Sequence, residues 1–247
     1  MEPNELHIWT ANLADWSSEA TDFIGILSND ERMKAERFLF ERDRNYYVVG
    51  RYLLRKLIGS YLQLPIESKM LSYGEFGKPF IDPKINKMGL CFNLSHSKDM
   101  IVFIFTLHRS VGIDIEYTKK RYTGESIIKR WFSVRERSLY HSLSETERKE
   151  YFYLSWTAKE AFVKGTGKGI AIPFNDIELV NIMKSVGGER KYHYYYQNPK
   201  ERDVWEITPF VPTTNYIGSY AIQNEGRQYT LKTRQLIKDA VRHVKKT

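Results

Sequence analysis

Three carboxylates and a lysine carry the chemistry this chain suggests. Asp114 and Glu116 fall in Val111-Gly112-Ile113-Asp114-Ile115-Glu116-Tyr117, which alternates apolar and acidic residues with the two-residue period of a strand. Val111, Ile113 and Ile115 then face a core, while Asp114 and Glu116 stand side by side on the other face, about 7 Å apart. A hard cation such as Mg²⁺ bridges that spacing, sharing its remaining positions with waters and substrate phosphates; an all-oxygen site also takes Mn²⁺. A solvated strand face carries such a pair too, so the Asp-x-Glu pattern reads two ways. In Trp156-Thr157-Ala158-Lys159-Glu160-Ala161-Phe162-Val163-Lys164, Ala158, Ala161 and Phe162 mark one helical face, and Glu160 and Lys164 lie one turn apart on another. That pair is either an ordinary i,i+4 ion pair or the third carboxylate of the cation site with a lysine facing the phosphates. The second reading is a phosphoryl-transfer set.

Other chemistry-bearing stretches are less specific. Ser95-His96-Ser97 follows strand-like residues, but no triad pattern and no Gly-x-Ser-x-Gly elbow accompanies it. His96 fits a phosphate donor and a packed or turn-capping histidine equally well. Gly165, Gly167 and Gly169 follow a helix, whereas phosphate loops follow a strand and open a helix. Gly165 reads as a helix C-cap.

Several elements must position these groups. Leu6 to Ala11 reads as a strand and Ser17 to Leu27 as a helix capped near Ser17 or Ser18. Ser28-Asn29-Asp30-Glu31 offers a second cap for a helix running to Phe40. Arg42 to Leu64 is the longest helical pattern of the first half, closed by Pro65. Gly74 to Pro79 is a turn-rich loop. Cys91 to Ser97 and Met100 to Leu107 are two strands joined by a tight turn. After the acidic strand come a helical stretch from Glu125 to Trp131, a capping box at Ser133 and Glu136, and a helix from Tyr151 to Lys164. Strands follow at Ile177–Met183, Tyr192–Tyr196, Trp205–Phe210 and Tyr216–Ile222, with a hairpin tip at Lys200–Asp203 and a basic amphipathic helix over Leu231–Lys246. A long helix followed by Gly-Lys-Pro in one half and by Gly-Lys-Gly in the other hints at duplication, with a site between the halves.

The 247 residues, 42% hydrophobic and 14% aromatic, supply a sizeable core. One cysteine, Cys91, allows no internal disulfide, and no Cys/His set has zinc spacing. A reducing, cytoplasmic setting is expected. Met1 to Leu6 lacks a signal-peptide pattern, and the longest apolar run, Met100 to Leu107, is too short to span a bilayer. The net charge of +8 favours a polyanionic partner: nucleic acid, a phosphorylated small molecule or an acidic protein surface.

The order of the motifs is more informative than any one of them. Gly77-Lys78-Pro79, Phe92-Asn93-Leu94-Ser95-His96-Ser97, Val111 to Glu116, Arg130-Trp131-Phe132-Ser133 with Glu136, and Trp156 to Lys164 together resemble the 4′-phosphopantetheinyl transferases, specifically the long, monomeric type that activates peptide and polyketide synthetases. The likeness runs from about residue 28 to residue 174. It implies an α+β fold, a pseudo-twofold arrangement of two similar α/β subdomains with the active site between them: residues 1–110 for the nucleotide of coenzyme A and residues 111–247 for the metal, catalysis and carrier docking. It implies Mg²⁺ on Asp114, Glu116 and Glu160, with Asp114, Glu160 and Lys164 catalytic. Coenzyme A contacts would come from Lys164 at its phosphates, from Ser95, from His96 and Lys78 around the adenosine 3′-phosphate, and from Lys34 and Arg42. Glu31 stands where some relatives have a basic residue, and Glu136 matches a family acid. A serine of an acyl or peptidyl carrier protein would give its proton to Glu160, directly or through water, and attack the pantetheine-side phosphorus, releasing adenosine 3′,5′-bisphosphate. Acidic carriers suit the positive charge, and Lys119 to Phe132 is the expected docking surface. The readings set beside this one are a nucleic-acid-binding module, suggested by charge and by Tyr192, Tyr194 and Tyr196, and a Mg²⁺-dependent nucleotide phosphohydrolase. A monomer binding neither nucleic acid nor membrane is expected.

Overall fold

A computed structural model of the chain describes residues 1–119, 124–177, 180–186, 189–197, 204–224, 226 and 228–238. Strand β1 (Glu5–Asn12) opens the chain. The helix expected over Ser17–Leu27 is broken: 3₁₀ turns Leu13–Glu19 and Ile24–Ile26 flank the four-residue α1 (Ala20–Phe23). Gly25 and the β-branched Thr21, Ile24 and Ile26 are poor material for a continuous helix. Helix α2 (Asn29–Glu36) starts at the expected cap, which is a full capping box of Ser28 with Glu31, but stops four residues short of Phe40. Phe40 is instead extended at the start of α3 (Glu41–Leu62), which ends with Gln63 in the left-handed conformation. The loop at Gly74–Pro79 is the tip of a hairpin, β2 (Leu71–Tyr73) with β3 (Pro79–Ile81).

Strands β4 (Leu90–Ser97), β5 (Met100–Leu107) and β6 (Val111–Tyr117) follow as the alternation predicts. Next come α4 (Gly124–Trp131), α5 (Val134–Ser142) and α6 (Glu145–Thr166), the last two opened by capping boxes at Ser133 with Glu136 and Ser144 with Glu147. Strands β7 (Val180–Val186), β8 (Glu189–Gln197), β9 (Val204–Phe210) and β10 (Tyr216–Asn224) form a meander, and β11 (Thr230–Gln235) returns to the start of the chain. The hairpin tip expected at Lys200–Asp203 and the side chains of Tyr192, Tyr194 and Tyr196 lie outside the described residues. Among the described residues no helix is long and apolar enough to cross a membrane.

The result is a mixed α+β fold with two main sheets, ordered β11-β1-β5-β4 and β6-β10-β9-β8-β7. Helix α3 buries Val49, Leu53 and Leu57 with Ile101, Phe103 and Phe105 of the first sheet. Helix α6 buries Ala158, Ala161 and Phe162 with Trp205, Ile207 and Ala221 of the second. The tail is corrected by β11: residues expected to be helical pair in parallel with β1, from Glu5 opposite Thr230 to Thr10 opposite Gln235. The outer edge of β1 would otherwise present unpaired peptide groups, and that tertiary demand overrides the local helical pattern. Lys232 adds an ion pair to Glu5, and the Arg234 guanidinium lies 5.2 Å from the Trp9 ring. A segment well beyond residue 110 therefore completes the sheet of the first half.

Candidate active site

Side chains join the two sheets where β4 and β6 run side by side. Asn93, Ser95 and Ser97 alternate on β4 and address β6 in register. Asn93 Oδ1 accepts from the Ile113 N–H at 3.1 Å, and the Ser95 hydroxyl donates to Asp114 Oδ1 at 2.8 Å. The Ser97 hydroxyl donates to Glu116 Oε2 at 2.9 Å and accepts from the Tyr117 N–H at 3.1 Å. Both strand acids are thus aimed at the boundary between the halves.

Two glycines bring α6 to the same place. A Cβ on Gly112 would lie 2.0 Å from the Ala161 carbonyl oxygen and 2.4 Å from the Gly165 nitrogen, and one on Gly165 would lie 2.6 Å from the Trp205 ring. Gly165 therefore serves close helix-to-strand packing inside α6. The C-cap expected there is Gly167, with φ +71°. This contact sets Lys164 over β6, its ammonium donating to Asp114 Oδ1 at 2.6 Å and to the Ser95 hydroxyl at 2.9 Å. Asp114 is buried, and among the described residues its Oδ2 has no hydrogen-bond partner.

Glu160, one turn before Lys164, has its carboxyl pushed up to about 7: burial is the main cause, and the Asp114 and Glu116 charges add to it against the opposing pull of Lys164. Three carboxylates that feel one another, one with an unsatisfied buried oxygen, are a donor set that a hard divalent cation fits. As placed, however, Asp114 is engaged by Lys164 and Ser95 and Glu116 by Ser97, and among the described residues no three His, Cys, Asp or Glu side chains close around a common point.

Two adjoining cavities flank this centre. One of about 350 Å³ is lined by Lys78, Glu160 and Lys164, among others; the other, about 580 Å³, is lined by Lys34, Arg42, His96 and Glu116. The structure thus brings Lys34, Arg42 and His96 together, but sets Lys78 in the neighbouring cavity rather than beside His96. The Lys78 ammonium crosses between the halves, donating to the Gly165 carbonyl at 2.7 Å and to that of Val111 at 3.2 Å; burial lowers its pKa to about 8. Desolvation, followed by the Lys164 charge, holds His96 below its usual value even though part of the ring reaches solvent.

Arg51, not singled out from sequence, lines both cavities. Its guanidinium lies 5.2 Å from the Tyr47 ring centroid, its Nε is 3.5 Å from Glu31 Oε1, and its Nη1 is buried with no hydrogen-bond partner among the described residues. The available signal was its place one turn after Tyr47 on α3. Glu31, the departure from the basic pattern, is the counter-ion of this wall: it accepts from Arg55 at 2.6 Å and from the Tyr73 hydroxyl at 2.9 Å while capping α2. Glu136 has a similar structural place. Its Oε2 accepts from the fully buried Lys159 at 2.7 Å and from the Ser133 N–H at 2.8 Å, joining α5 to α6 beside Glu160. In the expected docking stretch, residues 120–123 lie outside the described residues, and Phe132 is buried rather than presented to a partner.

Comparison with known proteins runs through both walls of the cleft. Residues 8–106 match the model of the 4′-phosphopantetheinyl transferase N-terminal family, and residues 110–222 that of the 4′-phosphopantetheinyl transferase superfamily. The 4′-phosphopantetheinyl transferase HetI of Nostoc sp. is 32% identical over 225 residues, 91% of this chain and 90% of that protein. The transferase Sfp of Bacillus subtilis is 34% identical over 157 residues, 64% of this chain and 67% of its own. The L-aminoadipate-semialdehyde dehydrogenase-phosphopantetheinyl transferase of Xenopus laevis is 30% identical over 181 residues, 69% and 58%. With one match on each side of the β4–β6 seam and a relative aligned nearly end to end, the chain belongs to the 4′-phosphopantetheinyl transferase superfamily, as a transferase of its long type.

Proposed function

We propose that the chain moves the 4′-phosphopantetheine group of coenzyme A to a serine hydroxyl of an acyl or peptidyl carrier protein, releasing adenosine 3′,5′-bisphosphate. The observation that carries this reading is the convergence of two cation-lined cavities on three carboxylates. Lys34, Arg42, Arg51 and His96 line one cavity with Glu116, Lys78 and Lys164 line the other with Glu160, and Asp114 is held by Lys164. A ligand with a phosphate at one end of a nucleotide and a diphosphate at the other suits that layout.

Asp114, Glu116 and Glu160 would hold Mg²⁺ or Mn²⁺, which supplies charge neutralisation at the diphosphate. Glu160 accepts the proton of the serine hydroxyl, directly or through water. The serine oxygen bonds to the pantetheine-side phosphorus as the bond from that phosphorus to the bridging oxygen breaks, and Lys164 stabilises the negative charge left on the departing adenosine bisphosphate. Residues 1–110 carry most of the nucleotide side and β6 with α6 the metal side. Because one chain supplies both walls, a monomer suffices, and the lone Cys91 suits the reducing cytoplasm.

Calorimetric titration with coenzyme A in the presence of Mg²⁺ tests the cleft. One-to-one binding is expected, and Arg51→Gln should weaken it by about 10- to 100-fold, the worth of a charged hydrogen bond. Absence of binding, or binding indifferent to Arg51, would count against this placement of the nucleotide.

A further inference from the structure

We infer that Lys164 acts as an internal counter-ion that holds the cation site shut until a diphosphate arrives, so that the divalent ion enters with or after coenzyme A and not before it. The inference rests on the function proposed above and concerns the order in which its ligands bind.

The geometry makes Lys164 and a metal ion competitors for one carboxylate, that of Asp114. The ammonium is 2.6 Å from Asp114 Oδ1, the contact distance of a charge-assisted hydrogen bond. A second cation on either oxygen of that carboxylate would face the ammonium at close range in a site partly withdrawn from water, where like charges repel strongly. Asp114 cannot turn away easily. It is fixed on β6 by the backbone register with β10, where it stands opposite Ser219, and by the Ser95 hydroxyl from β4.

Lys164 can move. Its side chain is 31% exposed against 7% for Asp114, and it lines the cavity of about 350 Å³ into which it can swing. It also belongs to the last turn of α6, where the helix dipole favours a cation, so it leaves Asp114 only for another anion. The diphosphate of coenzyme A meets both needs at once: its oxygens take the ammonium, and Asp114 is released with its already unpartnered Oδ2 to accept the metal. A free divalent ion meets neither.

The consequence is a positive coupling between coenzyme A and the metal that is built into the protein. Coupling of this kind is commonly 5- to 150-fold. Direct contact between metal and phosphate also produces coupling, but that part survives in a Lys164 variant, whereas the part that Lys164 builds is lost with its side chain.

The test is Mn²⁺ titration of the full chain, read from the electron paramagnetic resonance signal of the free ion, with and without coenzyme A. Lys164→Met and Lys164→Gln should each bind Mn²⁺ without coenzyme A about 10- to 100-fold more tightly than the unaltered protein. Coenzyme A should tighten Mn²⁺ binding strongly in the unaltered protein and much less in the two variants. The inference is overturned if both variants bind as weakly as the unaltered protein without coenzyme A, while the unaltered protein with coenzyme A binds Mn²⁺ and Asp114→Asn does not; the metal site then stands and the lock falls. If no form binds Mn²⁺ even with coenzyme A, the proposed metal site fails and the inference with it.

Discussion

Replacing Glu160 by Gln is expected to cut transfer by about a thousandfold, the middle of the range for loss of a general base, and to make the metal-free protein more stable at pH 8. The two effects have one cause. Burial, Asp114 and Glu116 raise the Glu160 pKa from its usual 4.5 to about 7. A carboxyl whose folded-state pKa is raised favours the folded state below about pH 4.5, and that advantage is lost as pH climbs to 7. Above pH 7 the metal-free fold carries an ionised Glu160 at a cost of about 3 kcal/mol, at about 1.4 kcal/mol per pKa unit. The glutamine amide has no charge to desolvate. Thermal melting should show the variant several degrees more stable at pH 8 and equal to the unaltered protein at pH 4.5. Equal melting at both values would show that the Glu160 carboxylate is neither desolvated nor crowded by the other two acids.

Gly112→Ala is expected to be the most damaging glycine-to-alanine change among the described residues. The added Cβ would meet the Ala161 carbonyl at 2.0 Å and the Gly165 nitrogen at 2.4 Å, both backbone atoms of α6 that no side-chain rotation can move aside. The helix must lift from β6 or the strand must bend, at a cost of about 3 kcal/mol or more, or roughly 6–12 °C of melting temperature for a chain of this size. Lifting α6 also draws Lys164 from Asp114 and the Gly165 carbonyl from Lys78, so activity should fall even where the protein stays folded. Gly25→Ala is the control: its Cβ meets nothing within 4 Å, and melting should be almost unchanged. A Gly112→Ala protein that melts and works like the original would refute the close crossing.

The features legible in the sequence were those written in local pattern. Period two in Val111–Tyr117 marked β6 to the residue, and period 3.6 with a closing proline located α3 to within two residues. The capping boxes at Ser28 and Ser133 were visible because hydroxyl and carboxylate sit three residues apart. What escaped depended on contacts between distant segments. Leu231 onward has helical spacing, yet the open edge of β1 recruits it as a strand. Gly165 sits where a cap is plausible, but its need comes from Gly112, far earlier in the chain, and from Trp205. Arg51 carried no signal of its own and Glu31 read as a cap and a departure from a basic position; only the meeting of α2, α3 and the β2–β3 hairpin pairs them on the wall of the cleft. The acids and lysine of the candidate site were found by residue type and spacing, whereas the Ser95 and Ser97 hydroxyls that aim the strand acids became apparent only from the β4–β6 seam.

The transfer itself is read from the intact mass of an apo carrier protein after incubation with this protein, coenzyme A and Mg²⁺. A gain of one phosphopantetheine group on the carrier is expected, lost when Glu160→Gln replaces the unaltered protein and lost again with EDTA. Release of adenosine 3′,5′-bisphosphate with unchanged mass across several unrelated carriers would contradict it, and would mean that the same three acids serve hydrolysis instead.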